Sequence, residues 1–263
     1  MALILHIETA TRICSVALSN NGSFLCMRES SATNAHSSQV TLFIDEVFRE
    51  AGVPLTSLDA VAVSMGPGSY TGLRIGVAAA KGLCYALDRP LIAVETLAAM
   101  ATGLNDPTPL PPPLGGEGEV NALTPDPSPG GTPLTPDPSP GGRGEYVCPM
   151  LDARRMEVYC AIYDRNFREV MPVEAVIVNE DSFAEYLAKG ILTFGGEGAE
   201  KCRPLLENHP NARFVSGFET SAKFMVPLAF ERFNSGRFED LAYFEPFYLK
   251  EFVAGKPRVK GLR

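Results

Sequence analysis

The chain has 263 residues, of which 45% are hydrophobic and 21% are charged, a balance typical of a globular protein with one large core or two lobes. Its net charge of −8 argues against broad, sequence-independent binding to nucleic acid, which requires clustered Lys and Arg. No apolar run is long enough to span a membrane, and the first residues lack the basic start and cleavage site of a signal peptide. The six cysteines form no C-x-x-C pair, so we expect reduced thiols and a cytoplasmic protein.

The first hundred or so residues predict a mixed α/β lobe. The turn Asn20-Asn21-Gly22 accepts the positive φ of a hairpin, so the apolar runs around it predict a β-meander. An amphipathic pattern then predicts a helix, and strands and helices alternate after it. In order, we expect strands over 2–8, 13–19 and 23–30, a helix over 37–51, a strand over 59–64, a helix over 71–87, a strand over 91–94 and a helix from 96 to 102.

A glycine-rich run follows the fourth strand and leads into the second helix. Strand, glycine turn and helix build anion or ligand sites in α/β proteins, because a helix N-terminus presents free N–H groups. No lysine occurs in the run before Lys81, so it is not a Walker loop, and Thr71 stands where a dinucleotide fingerprint needs glycine. Ser69 lacks the flanking glycines of a nucleophile elbow. The run is Gly66-Pro67-Gly68-Ser69-Tyr70-Thr71-Gly72-Leu73-Arg74-Ile75-Gly76.

The composition changes sharply between Asn105 and Glu145, where Pro, Gly, Thr, Ser and Asp dominate. A nine-residue sequence is duplicated there with a spacing of 11 residues, so that 123–131 returns as 134–142. Such a segment cannot bury enough apolar area to offset its chain entropy, and it predicts a disordered insertion over 104–145. Two interpretations stay open: a tolerated insertion at a surface loop, and a proline-rich docking segment.

The predicted insertion separates an N-terminal lobe, 1–103, from a C-terminal lobe, 146–263, whose terminal segment could return to the first lobe. The run Gly195-Gly196-Glu197-Gly198 is more typical of a strand-to-helix turn than of a nucleotide loop. In the second lobe we expect strands over 146–151, 157–163, 170–178 and 191–194, and helices over 181–189 and 221–234. The tail favours a solvated segment despite its basic residues, which are Lys250, Lys256, Arg258, Lys260 and Arg263.

Several segments together resemble a known family. Ile4–Thr11, followed by Cys14–Leu18, resembles the opening hairpin of the actin/sugar-kinase/Hsp70-like ATPase folds. The glycine run Gly66–Gly76 is similar to the signature of the TsaB (YeaZ) family of bacterial tRNA threonylcarbamoyladenosine biosynthesis proteins. Asp152–Tyr159 and Glu245–Lys250 resemble the second-lobe strand pair and the C-terminal element of that family. The resemblance covers nearly all of the chain outside the predicted insertion.

The resemblance implies an α/β, two-lobed ATPase-like fold with ribonuclease H-like lobes, each a mixed sheet with helices. It implies a role in placing a threonylcarbamoyl group on adenosine 37 of tRNAs that read codons beginning with A. The family's members are non-catalytic paralogues of TsaD, so the implied role is that of a scaffold or activating subunit. The implied partners are a TsaD-like paralogue in a heterodimer, a TsaE-like ATPase and, indirectly, tRNA, with a homodimer possible in isolation.

Pairing with the paralogue is implied through the helices predicted over 37–51 and 71–87. Small residues on the second of these helices allow a close approach of another backbone, either of a partner or of the lobe's own sheet. The candidate interface residues are Val40, Phe43, Val47, Gly72, Gly76, Ala79 and Ala80.

The metal and nucleotide sites of the catalytic relatives are altered in this sequence. Those relatives are implied to bind metal through two histidines four apart on the first helix, whereas here His36 is followed by Val40, so no metal is expected. His6 lies in a predicted strand and indicates a core histidine. Glu8 occupies the slot of an aspartate that helps to hold nucleotide-bound Mg²⁺. Glu8 and Thr9 are therefore candidates for a weak, degenerate nucleotide site, with no catalytic residue and no obligatory cofactor.

Three hypotheses follow. A scaffold subunit co-elutes with the catalytic paralogue and has no activity alone. A free-standing ATPase or kinase turns over Mg-ATP, and Glu8→Ala abolishes the turnover. A glycoprotease-like peptidase, an older interpretation of the wider family, needs a metal or a nucleophile–base pair that the sequence does not supply.

Overall fold

The computed structural model describes residues 2–31, 36–105 and 144–250. The predicted insertion lies outside these ranges except at its two ends, where a helix continues to Asn105 and a strand begins at Gly144. The tail beyond Lys250 also lies outside them. The predictions made for the insertion and the tail therefore stay predictions.

The N-terminal half forms a mixed five-stranded sheet with the order β3-β2-β1-β4-β5. The strands β1 to β3 form the predicted antiparallel meander, and β4 and β5 add to β1 in parallel. The strand β1 is buried along its whole length, as a central strand covered on both faces must be. The elements are β1 Leu3–Glu8, β2 Cys14–Asn20, β3 Ser23–Ser30, α1 His36–Ala51, β4 Ala60–Gly66, α2 Tyr70–Leu87, β5 Leu91–Glu95 and α3 Thr96–Asn105.

The C-terminal half repeats the same topology. Its sheet has the order β10-β9-β6-β7-β8, which is again an antiparallel meander extended by two parallel strands. Two lobes with this ribonuclease H-like order confirm the predicted fold class. The elements are β6 Gly144–Asp152, β7 Glu157–Asp164, β8 Glu169–Ile177, α4 Ala184–Lys189, β9 Gly190–Gly195, α5 Glu197–Leu206, β10 Ala212–Val215 and α6 Val226–Asn234.

The helix α3 joins the two lobes through a shared apolar core. Its Leu97 and Met100 are at most 1% exposed and pack in one cluster with Val147 and Leu151 of β6. At about 25 cal/mol per Å² of apolar surface removed from water, such side chains stabilise the lobe arrangement by about 1.5–3 kcal/mol each. The first residues after the predicted insertion are thus anchored to the last helix before it.

The chain after β10 lies against the first lobe. Met225 and Ala229, at the start of α6 and within it, are buried in one cluster with Ile4 and Ala62. Pro227 lies in the first turn of α6, where a missing N–H costs no hydrogen bond, so the predicted helix forms despite it. A short 3₁₀ turn, Ala222–Met225, replaces the first residues of that prediction.

An irregular segment, residues 239–250, then crosses the first lobe; we call it the strap. The backbone N–H of Glu239 donates to the carbonyl of Leu91 at 2.9 Å. The Lys81 ammonium of α2 donates to the carbonyl of Phe244 at 3.2 Å, and the Phe244 ring is buried in the core of the first lobe. The strap is therefore fastened at the sheet edge and across α2.

The strand-to-helix turn predicted at Gly195–Gly198 is confirmed, since it joins β9 to α5, but the extent of α5 and the strand β10 were not predicted. The helix α5 has an interior Pro204 and low apolar content, and β10 has only four residues, so neither gives a strong periodic signal. The predicted helix over 181–189 is shorter and begins at Ala184.

Candidate functional site

The glycine run is packed against the loop that follows β1. A Cβ atom on Gly72 would overlap the carbonyl oxygen of Thr9, and one on Gly76 would overlap the Thr9 hydroxyl. A Cβ on Gly68 would overlap the carbonyl oxygen of Ala10, which accepts the backbone N–H of Ser69 at 2.6 Å. The glycines thus let α2 touch the chain's own backbone. The place where a phosphate would meet this helix N-terminus is filled by residues of the β1–β2 hairpin.

The strap closes the other side of the run. Gly66 has a φ of +114°, which favours glycine, and a Cβ there would overlap the carbonyl oxygen of Phe247. The backbone N–H of Phe247 donates to the Met65 carbonyl at 2.7 Å. The rings of Tyr70 and Tyr248 lie 4.8 Å apart between centroids. The C-terminal element that resembles the TsaB family therefore contacts the glycine run directly.

Glu8 ends β1 and is only 1% exposed. Its Oε1 accepts the backbone N–H of Ala10 at 2.6 Å, and the Ser64 hydroxyl also bonds to it. Burial nevertheless raises the pKa of Glu8 to about 7, because the hydrogen bonds from Ala10, Ser64 and Thr9 offset only part of the desolvation of the charge. The Glu8 carboxyl group is thus hydrogen-bonded within the protein, mainly to its own loop.

Thr9 is fully buried, and its hydroxyl oxygen has no hydrogen-bond partner among the described residues. Gly76 of α2 lies directly against that hydroxyl. A nucleotide could reach Glu8 or Thr9 only if the hairpin moved away from α2. The structure therefore gives the predicted weak nucleotide site no support, and that site stays a prediction.

Arg12, at the tip of the β1–β2 hairpin, is paired with carboxylates. Its Nε lies 3.1 Å from Glu197 Oε1 in the first turn of α5, and its guanidinium also pairs with Glu219. Beside it, the hydroxyls of Thr11 and Thr220 lie 2.6 Å apart. The β1–β2 hairpin is thus bridged to the second half of the chain by side chains, and Glu197 faces a cation instead of a phosphate.

The histidines behave as the sequence predicts where the structure describes them. His6 is fully buried, its Nε2 lies 2.7 Å from the Ser19 hydroxyl, and burial lowers its pKa to about 3. His36 is the first residue of α1, and its side chain lies outside the described part of the molecule. Within residues 2–31, 36–105 and 144–250 no group of three or more His, Cys, Asp or Glu residues is arranged to hold a metal ion.

The predicted interface needs correction. Val40, Val47 and Ala80 are at most 1% exposed and belong to the core of the first lobe, and Phe43 is 9% exposed. The reason is that the apolar stripe of an amphipathic helix faces its own sheet first. Gly72 and Gly76 contact Thr9, as described above. These six residues therefore stabilise the lobe itself, and of the predicted set Ala79 alone lines an open surface.

That surface is a groove of about 730 Å³ between α1 and α2. Gly82 lies in it with open space where a Cβ would be. The helices also expose large apolar side chains beside it: Leu42 is 51% exposed and Tyr85 is 84% exposed. The groove's apolar walls include Ile44, Phe48, Val53, Leu55, Ala79 and Leu83. Sequence reasoning missed this groove, because its walls combine core side chains such as Ile44 and Phe48, which are 6% and 5% exposed, with residues that follow α1.

Two TsaB proteins are similar to this chain in sequence, and one of them is similar over nearly the whole chain. The tRNA threonylcarbamoyladenosine biosynthesis protein TsaB of Escherichia coli is 29% identical over 265 aligned residues, which cover 96% of this chain and 96% of that protein. The TsaB of Haemophilus influenzae is 39% identical over 37% of this chain and 41% of its own length. The chain is similar to TsaB proteins over nearly its whole length. This similarity agrees with the glycine run and the C-terminal element described above.

Structural and partial sequence matches extend this result. A solved YeaZ from Pseudomonas aeruginosa is 24% identical and covers 95% of this chain and 100% of that one, with a TM-score of 0.67, so it shows the same fold. The family model of TsaD, described as tRNA N6-adenosine threonylcarbamoyltransferase, matches residues 29–115. The transferase of Geobacillus kaustophilus is 49% identical over 26% of this chain and 20% of its own length. The segment that contains α1, the glycine run and α2 is thus similar to the transferase family.

Two further properties concern the cysteines and the helices. All six cysteines are free and buried, and burial raises the pKa of several thiols, that of Cys26 and Cys84 to about 11. Such thiols are poor nucleophiles at neutral pH. None of the helices formed by the described residues is long and apolar enough to cross a bilayer.

Proposed function

We propose that this chain is a non-catalytic scaffold or activating subunit of the bacterial complex that transfers a threonylcarbamoyl group to adenosine 37 of tRNAs reading codons beginning with A. One observation carries the proposal: the glycine run packs against Thr9 and Ala10 of the same chain. This strand–turn–helix has a geometry that can bind phosphate, but here it packs against the backbone of its own chain. The sequence relatives named for threonylcarbamoyladenosine biosynthesis supply the pathway.

The proposed partner is a TsaD-like catalytic paralogue, and a TsaE-like ATPase is a further member of the complex. The TsaD family model matches the segment that builds α1 and α2, so the paralogue has a helix pair of the same ancestry. Two related helix pairs can pack face to face about a pseudo-twofold axis, as identical pairs do in a homodimer. We place the contact in the groove between α1 and α2, because a partner on these helices would also cover the exposed side chains of Leu42 and Tyr85. A homodimer of the isolated chain would use the same face, and we expect the complex to be cytoplasmic.

Gly82→Arg tests the position of this contact. The site is exposed and open, and arginine favours a helix more than glycine does, so the variant should fold at least as well as the wild type. Its long charged side chain would occupy the groove, so binding of the paralogue should weaken at least tenfold in a calorimetric titration. Ala188→Arg is the matched control, since it adds the same charge to an exposed helical position of the second lobe. Equal binding by both variants would place the contact elsewhere.

A second measurement tests whether the isolated chain has catalytic activity of its own. We expect the purified chain to hydrolyse no ATP and to bind Mg-ATP no better than millimolar. Turnover that is lost in Glu8→Ala would establish the ATPase or kinase hypothesis in place of the scaffold. Chelator-sensitive peptide cleavage would establish the peptidase.

A further inference from the structure

The turn between β6 and β7 presents two adjacent arginines in an uncommon backbone conformation. Arg154 and Arg155 have φ values of +72° and +52°, in the left-handed region that non-glycine residues rarely enter. The turn is held by backbone hydrogen bonds, from Ala153 N–H to the Glu157 carbonyl at 3.1 Å and from Arg154 N–H to Asp152 Oδ1 at 2.8 Å. Both side chains are exposed. Local bonds therefore fix the backbone of the turn that carries the two exposed arginines.

Among the described residues neither guanidinium forms a hydrogen bond or an ion pair, and Arg154 has only a weaker electrostatic attraction to Asp152. The carboxylates of Asp152 and Glu157 are ion-paired with lysines. Asp152 pairs with Lys201, whose ammonium also donates to the Glu157 carbonyl at 2.7 Å. The Glu157 carboxylate pairs with Lys250 at the end of the strap. Two carboxylates thus balance two lysines, and the two arginines leave a local charge of +2 on a chain whose net charge is −8.

The position of the turn relates it to the first lobe. In the repeated sheet order, the β6–β7 turn corresponds to the β1–β2 hairpin that carries Arg12. The two hairpins contact the same side of α5 one turn apart, because Arg12 pairs with Glu197 and Asp152 pairs with Lys201. The first hairpin has its carboxylate partners, and the second does not. The missing counter-charge on the second hairpin indicates an external anion.

We propose that the Arg154–Arg155 turn binds backbone phosphates of the tRNA on which the complex acts; this inference rests on the proposed function. Guanidinium groups match phosphate oxygens with two parallel hydrogen bonds and stay charged at any physiological pH. The turn is an exposed hairpin tip, which suits an extended polyanion better than it suits a small nucleotide that needs enclosure. The sequence continues from Lys250, at the edge of this patch, with four basic residues and one acidic residue. The contact positions the RNA and does not read its sequence.

The test is a titration of an unmodified tRNA transcript with the complex of this chain and its TsaD-like paralogue. Affinity is measured by fluorescence anisotropy between about 50 and 200 mM salt, because each phosphate contact adds close to one unit to the slope of log K against log salt. Arg154→Asn/Arg155→Asn should weaken binding about tenfold at the lowest salt and reduce the slope by about 1–2. Asparagine tolerates the left-handed conformation, so the turn should keep its shape. Arg154→Lys/Arg155→Lys keeps the charge and should retain most of the affinity.

Arg165→Asn/Arg168→Asn is the matched control. It removes the same charge from the β7–β8 turn, which lies at the opposite end of the same antiparallel sheet. An unchanged affinity and slope in the 154/155 variant would overturn the proposal, and so would an equal loss in the control. Loss of ATP binding with unchanged tRNA binding would assign the turn to a nucleotide and would also overturn it.

Size-exclusion chromatography of the same samples separates the two claims. A wild-type chain that forms no complex with its paralogue contradicts the proposed function, and the same titration on the chain alone then decides the role of the turn. A complex that forms normally and binds tRNA equally well with and without the arginines contradicts only this inference.

Discussion

Gly72 and Gly82 lie on the same helix and should respond to the same substitution in opposite directions. In the structure, a Cβ at Gly72 would lie closer than 3.0 Å to the carbonyl oxygen of Thr9, and a Cβ at Gly82 would have nothing within 4 Å. Replacing either glycine with alanine raises the helix propensity by about 1 kcal/mol. At Gly82 nothing opposes this gain, so Gly82→Ala should stabilise the chain by up to about 1 kcal/mol.

At Gly72 the gain is outweighed. The atom in the way is a backbone carbonyl, which cannot rotate aside as a side chain does, so the cost lies near the upper end of the 1–3 kcal/mol that overpacking causes. We expect a net loss of about 2 kcal/mol for Gly72→Ala. With a change of about 2–4 °C per kcal/mol for a chain of this size, Gly72→Ala should lower the melting temperature by about 4–8 °C. Gly82→Ala should raise it by up to about 4 °C.

A double-mutant cycle sharpens the assay. The Cβ at Gly76 would meet the Thr9 hydroxyl, which Thr9→Ala removes, whereas the Cβ at Gly72 would meet the Thr9 carbonyl, which Thr9→Ala retains. Thermal and urea denaturation should therefore show a favourable coupling of about 1 kcal/mol between Thr9→Ala and Gly76→Ala, and none with Gly72→Ala. Equal stabilisation by Gly72→Ala and Gly82→Ala would refute the interpretation of the glycine run as an internal packing joint.

Three further perturbations probe other parts of the molecule. Burial raises the pKa of Glu8 from 4.5 to about 7, so the stability that the protonated side chain contributes is present at low pH and is lost as the pH rises through 7. In urea titrations the free energy of unfolding of the wild type, relative to that of Glu8→Gln, should therefore fall by on the order of 3 kcal/mol between about pH 4.5 and 8. Parallel pH curves for the two proteins would contradict this. Arg12→Ala removes exposed ion pairs with Glu197 and Glu219, so the unfolding free energy should change by less than about 1 kcal/mol. A larger loss would show that these ion pairs hold the lobes together. Replacing residues 106–143 with a short Gly/Ser linker should change the melting temperature by less than about 2 °C, because α3 and β6 already share one core. A large drop in the melting temperature would show that the replaced segment packs against the rest of the protein.

The fold could be predicted largely because its elements obey local rules. The meander of β1 to β3 has apolar runs and the Asn20-Asn21-Gly22 turn, and α1 has a clear apolar stripe. The parts that were missed lack such signals: β10 is short, and α5 contains a proline. A sequence alone therefore predicts those helices and strands that have a clear local pattern of apolar and turn residues.

The candidate site was harder, because its properties depend on contacts between distant segments. The sequence shows that Gly72 and Gly76 are small, but only the structure shows that Thr9 fills the space above them. The sequence also shows that Glu8 has a carboxylate, but it does not show that this group is buried and that burial raises its pKa. The interface residues were misplaced for the same reason, since a helical stripe such as that of Val40 and Val47 can face a sheet or a partner and the pattern is identical.

The most direct test of the account supplies an unmodified tRNA with an activated threonylcarbamoyl donor and Mg-ATP. It measures threonylcarbamoyladenosine by mass spectrometry after incubation with this chain, its TsaD-like paralogue and the TsaE-like ATPase, omitting one protein at a time. The account predicts no modified nucleoside from this chain alone, little from the paralogue without it, and full modification when all are present. Full activity of the mixture without this chain, or any activity of this chain alone, would contradict its assignment as a non-catalytic scaffold.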